Sequence, residues 1–151
     1  MEPEIGGGYL RTDSLETLLS FIHPEFAIID AISVCGFPHL FQAAELSLMA
    51  HKGDYNLSKD KSTEVLLYLT GQRQISKALE LAGLSSETKS IAWVSFLKVP
   101  EKLFDFVEPD DNVISHYDFD YSRFNINKDL DLDLKQKIVM TKTAVLPVQS
   151  R

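Results

Sequence analysis

Spaced by their apolar positions, the 151 residues fall into short helices separated by two apolar runs that lack a helical period. Leu40, Ala43, Ala44, Ser47 and Leu48 recur at helical intervals and predict one stripe of a helix over 38–52. Pro38 suits its first turn, and Gly53 stands just past its end. Ile75, Ala78, Leu79 and Ala82 repeat the i, i+3, i+4, i+7 spacing and predict a second amphipathic helix with those four on one face, where Ile75 either completes the core stripe or faces solvent. Residues 26–34 (FAIIDAISV) and 90–97 (SIAWVSFL) are apolar and β-branched over the length of a strand. They read as buried strands, the first at least in its first half.

The remaining elements rest on punctuation. Asp13 and Glu16 form an N-terminal signal for a helix over 14–21, which His23 and Pro24 end. Ser62 reads as the cap of a helix over 64–70, Glu64 suits its first turn, and Gly71 permits the left-handed residue that stops it. Gly83 followed by Leu84 has the pattern of a Schellman ending. A short helix over 100–107, an acidic loop over 108–120, a helical turn near Tyr121, a helix over 132–141 and an extended tail over 144–148 complete the chain. That tail is placed as a possible edge strand, and Gly6, Gly7 and Gly8 as a flexible turn. The expected fold is α+β: a single domain over 1–151, with a small mixed or antiparallel sheet surrounded by helices.

Composition changes this picture little, and charge changes it more. The apolar fraction of 44% and the charged fraction of 25% are ordinary for a soluble globular chain. No apolar run is long enough to span a bilayer, no basic leader opens the chain, and one cysteine, Cys35, excludes an internal disulfide. A cytoplasmic protein without membrane partners is the expectation. Net charge is −7, against indiscriminate nucleic-acid binding, but its distribution is uneven. Residues 1–51 carry one basic residue against seven acids, and residues 99–134 carry three against ten. Residues 52–98 reverse the sign, with Lys52, Lys59, Lys61, Arg73, Lys77, Lys89 and Lys98 against five acids.

The triple glycine is followed by no Lys-Ser/Thr pair and so is no phosphate loop. Asp129, Asp131 and Asp133 imitate the start of a calcium loop, but Leu134 and Met140 stand where glycine and glutamate are required. His23, His39, His51, His116 and Cys35 show no metal spacing, and Cys35 reads as a small buried hydrophobe rather than a nucleophile. No metal, no cofactor and no enzyme activity are expected.

What is left is the interruption at Gly71–Ile75 (GQRQI), where one apolar helix stops and another begins. A plain solvated junction accounts for three polar side chains there. The functional alternative is an anion site: the second helix presents its first N–H groups beside Arg73 and Gln72. Ile75 would then contact a base or ribose, and Lys59, Lys61 and Lys77 would add phosphate contacts, a combination that grips single-stranded nucleic acid.

Residues 62–96, with the alanine-containing helix HLFQAAELSLMAHKG before them, resemble the small kinase-binding subunit of the KEOPS (EKC) complex, the TPRKB family. The resemblance is carried by a glutamate-led apolar helix, then Gly71, Gln74, Ile75 and Ala78 in a GxxQI-x-x-A segment, then Gly83 and the strand 91–96; it is best over 38–97. A weaker echo falls in KIVMTKTAVL. The resemblance implies a non-catalytic subunit in the threonylcarbamoyl modification of tRNA adenosine, bound to an atypical kinase/ATPase. In archaeal-type members, which the GQRQI form is similar to, it also implies a hold on the single-stranded 3′ CCA end of tRNA. Gly71, Gln72, Arg73 and Ile75 carry that role over; Lys59, Lys61 and Lys77 are added on charge. The kinase contact is placed on the helix of Leu48 or the terminal helix of Met140. The alternative is a pure protein adaptor that activates the kinase without RNA.

Overall fold

The computed structural model describes residues 2–115, 119–124, 126–127 and 129–149. Strands β1 (Glu4–Leu10), β2 (Phe26–Asp30), β3 (Ser90–Ser95) and β4 (Val107–Pro109) make a sheet in the order β2-β3-β1-β4. Every pairing is antiparallel. Helices α1 (Leu15–Leu19), α2 (Phe37–Lys52), α3 (Lys61–Thr70), α4 (Ile75–Ala82) and α5 (Leu132–Gln149) surround it, so the architecture is α+β.

Both faces of the sheet are covered, which is why β2 is apolar over residues 26–29 and β3 over residues 91–94. Successive side chains point to opposite faces. Ala27, Ile29, Ala92 and Val94 enter a core built with Leu40, Ala43 and Ala44 of α2 and Val65, Leu67 and Leu69 of α3. Phe26, Ile28, Ile91 and Trp93 face the other way and pack with Leu18 of α1, Leu103 and Val107. The alanines of α2 let α3 lie close against it, and α5 packs across both.

The expectation of a turn at Gly6, Gly7 and Gly8 is overturned. They form the middle of β1, where Gly8 lies opposite both Ile91 of β3 and Pro109 of β4. A Cβ on Gly6 would stand 2.6 Å from the Trp93 ring, and one on Gly7 would be 3.0 Å from the Ile91 carbonyl while striking Val113. The glycines are there to admit neighbours that fill both faces, not to bend the chain.

Several boundaries move for local reasons. Ser14, not Asp13, caps α1, its Oγ accepting from Thr17 N at 3.2 Å. The strand over 26–34 ends at Asp30, whose carboxylate accepts from Ile32 N at 3.3 Å and starts the 3-10 turn Ala31–Ser33. Helix α3 starts at Lys61, so Ser62 lies inside it and is no cap. Gly83 has φ −72 and is not the left-handed glycine of a Schellman ending. The expected helix over 100–107 is a 3-10 turn, Glu101–Asp105, followed by β4.

The edge-strand reading of residues 144–148 is also corrected, because α5 continues to Gln149. Val139, Thr143 and Leu146, spaced as one helical face, are fully buried. Burial of that face overrides the β-branched composition of the segment.

Candidate nucleic-acid interface

The corner between α3 and α4 is built by a backbone device. Gly71 takes φ +66, which only glycine adopts without strain. Its N–H donates to Tyr68 O at 3.3 Å, and Gln72 N–H donates to Leu67 O at 3.0 Å. These two bonds are the Schellman pair, found at Gly71 rather than at Gly83. The end of α3 is fixed from below by His39, fully buried, whose ring N–H at Nε2 donates to Leu69 O at 2.8 Å while Nδ1 accepts from Cys35 N at 2.9 Å. Burial pushes the His39 imidazole down to about 4, opposed by the bond to Leu69, so the ring is neutral.

Beyond Gly71 the chain is extended at Gln74 and re-enters helix at Ile75. No side chain caps α4, and no acid stands in its first turn. Its uncapped start stands beside a shallow depression of about 320 Å³ formed by Gly71, Gln72, Arg73, Gln74 and Lys77. Arg73, Gln74 and Lys77 are exposed. Ile75 is 45% and Leu79 51% exposed, while Ala78 and Ala82 are buried. The four-residue face thus splits: the two alanines dock α4, and Ile75 and Leu79 face solvent one turn apart, with Ile75 exposed as a base contact requires.

Lys59 and Lys61 do not join this cluster. They lie at the opposite end of α3, a ten-residue helix and so about 15 Å long. Lys61 is engaged besides, with Nζ 3.1 Å from Glu25 Oε2 and 5.7 Å from the centre of the Phe96 ring. Of the seven residues expected to contact RNA, the structure gathers Gly71, Gln72, Arg73, Ile75 and Lys77.

Sequence reasoning missed three neighbours. Leu79 continues the apolar strip from Ile75 toward a groove of about 280 Å³ lined by Leu19, Ile22, Leu66 and Leu84. Its i+4 spacing from Ile75 is the visible signal, which helical periodicity by itself places with the core face. Lys142 and Arg123 flank Gly71 from the far side, in a depression of about 230 Å³ shared with Gln72 and Val145. Nothing in the local sequence announces that α5 returns there.

On α2, Leu48 is half-buried against the core, and Met140 on α5 is half-buried as well. The freer apolar surface of α2 is Phe37, Phe41 and Met49, with the two phenyl rings stacked 5.9 Å apart.

Burial pushes the Cys35 thiol up to about 11, with Lys135 opposing, so it is protonated near neutrality. Among the described residues no three of His, Cys, Asp and Glu cluster as metal ligands. His116 lies outside the described residues. No helix among them is long and apolar enough to cross a membrane.

A family model described as kinase binding protein CGI-121 matches residues 12–132. That span takes in the whole Gly71–Lys77 corner and ends at the first residue of α5. Comparison with curated proteins gives no match.

Proposed function

We propose, for a chain that belongs to the CGI-121 family of kinase-binding proteins, a non-catalytic role as the KEOPS subunit that binds the atypical kinase/ATPase and holds the single-stranded 3′ CCA end of tRNA. Kinase binding is the property of the family; the KEOPS assembly, the tRNA and a cytoplasmic setting are this proposal's additions. One observation carries the RNA half. Arg73, Lys77 and the uncapped start of α4 surround a depression with no carboxylate among its lining residues, on a chain of net charge −7. The exposed Ile75 and Leu79 add an apolar surface beside those cations for a base or ribose to rest on. On an acidic body, a depression lined by cations favours an anionic strand there.

The kinase half is assigned to the α2–α5 side, with Leu48 and Met140 as first expectations and Met49 as the exposed residue between the buried faces. The two halves separate by mutation. Arg73→Glu is expected to lose tRNA and still co-purify with the kinase, whereas Met49→Glu is expected to do the reverse. A parent chain that binds no tRNA would favour the pure adaptor, the reading that the acidic net charge supports; Arg73→Glu leaving tRNA binding untouched would put the RNA site elsewhere.

A further inference from the structure

The depression on the far side of Gly71 has no role in the account so far. Thr70, Gly71 and Gln72 form one wall, and Phe124, Lys142 and Val145 form the other. We propose that this depression binds a further phosphodiester of the same RNA strand, with Lys142 as its cation and Gly71 as the saddle over which the strand passes. The inference rests on the RNA reading of the corner and extends it onto α5.

Continuity is the first argument. The two depressions share Gly71 and Gln72, so a strand lying in one reaches the other without leaving the surface. A Cβ on Gly71 would stand 3.3 Å from Lys142 O and 3.4 Å from Lys142 Cβ, so α5 approaches the corner this closely because the side chain is missing.

Charge is the second. A depression of about 870 Å³ at the start of α5 is lined by Asp131 and Asp133 as well as Lys137, and the one beside α1 by Asp13. The groove at Leu79 holds no charged residue. The two that meet at Gly71 carry cations and, among the described residues, no carboxylate.

Preorganisation is the third. Lys142 Nζ donates to Phe124 O, which fixes its stem; an ammonium has three donors, so two remain for phosphate oxygens. Arg123 is committed differently. Its Nε is 3.1 Å from Asp120 Oδ2, and its Nη1 donates to Ser33 Oγ at 3.3 Å. It forms a fixed wall, and the charge offered to a ligand is that of Lys142. Val145, 39% exposed at the rim, offers an apolar surface to the adjoining sugar or base.

The test is fluorescence anisotropy of a labelled RNA hexamer ending in CCA, titrated with the full chain over a salt series. Lys142→Ala should weaken binding about tenfold and lower the slope of log affinity against log salt by about 0.7, the value for one phosphate on a single strand. Val145→Glu should weaken it in the same direction without touching the bond from Lys142 to Phe124, and Lys89→Ala should do nothing. If Arg73→Glu abolishes binding while Lys142→Ala and Val145→Glu match the parent in affinity and slope, the strand does not cross Gly71. The inference then falls and the corner stands. If the parent chain itself does not bind the hexamer, both fall together.

Discussion

Gly71 and Lys142 meet backbone to backbone: the α-hydrogen of Gly71 occupies the place where a methyl group would come within 3.3 Å of the Lys142 carbonyl oxygen. The glycine is needed twice over, for its φ of +66 and for the room above it. Gly71→Ala is expected to destabilise the fold by about 1–2 kcal/mol from the left-handed conformation alone. It should also weaken RNA binding, since α5 must shift to admit the methyl. Denaturant unfolding together with the hexamer titration checks both effects.

Glu64 is fully buried, yet its carboxylate organises the loop before α3. Oε1 accepts from Ser58 N at 2.6 Å and Oε2 from Leu57 N at 2.8 Å. Glu64→Gln replaces one acceptor with an NH₂ group that faces a backbone N–H, leaving a buried donor unsatisfied. A loss of about 1–3 kcal/mol is expected. Faster hydrogen exchange at Leu57 and Ser58 would locate it there, and unchanged exchange at both would contradict the assignment.

His39 sets a pH dependence of definite sign. Its folded pKa of about 4 lies below the ordinary value of 6.5, so the unfolded chain binds the additional proton. The contribution is fully present above pH about 6.5 and is lost as pH falls toward 4, to a total of about 3 kcal/mol. Burial moves Glu64 the opposite way, raising its carboxyl against the bonds from Leu57 and Ser58, so it does not add to the acid loss. NMR titration of the His39 ring should show a neutral imidazole down to pH 5. A midpoint near 6.5 in the folded protein would contradict its burial.

How much of this was legible in the sequence depended on whether a local rule had a competitor. The α2 stripe and the run that became β3 were plain because periodicity and turn residues agreed. The left-handed stop at Gly71 was equally plain, since glycine after an apolar helix has few other uses. The glycines of β1 misled because the same residue that bends a turn also makes room in a crowded strand. Only the position of Trp93 and Val113 distinguishes the two, and that is tertiary information. Leu79 misled in another way: spacing places it on one face with Ala78, yet the two alanines alone dock α4 and Leu79 stays outside beside the exposed Ile75. Lys59 and Lys61 were gathered by charge along the chain, and helix length then separated them from the corner. Lys142 was invisible because 71 residues separate it from Gly71 in sequence.

The central claim is that the Gly71–Lys77 corner holds a single-stranded RNA end. The most direct measurement is the affinity of the purified chain for an intact tRNA transcript and for the same transcript lacking its terminal CCA, each over a salt series. The account predicts that removing CCA abolishes binding and that binding of the intact transcript falls steeply with salt. Equal affinity for the two transcripts, or none for either, would contradict it.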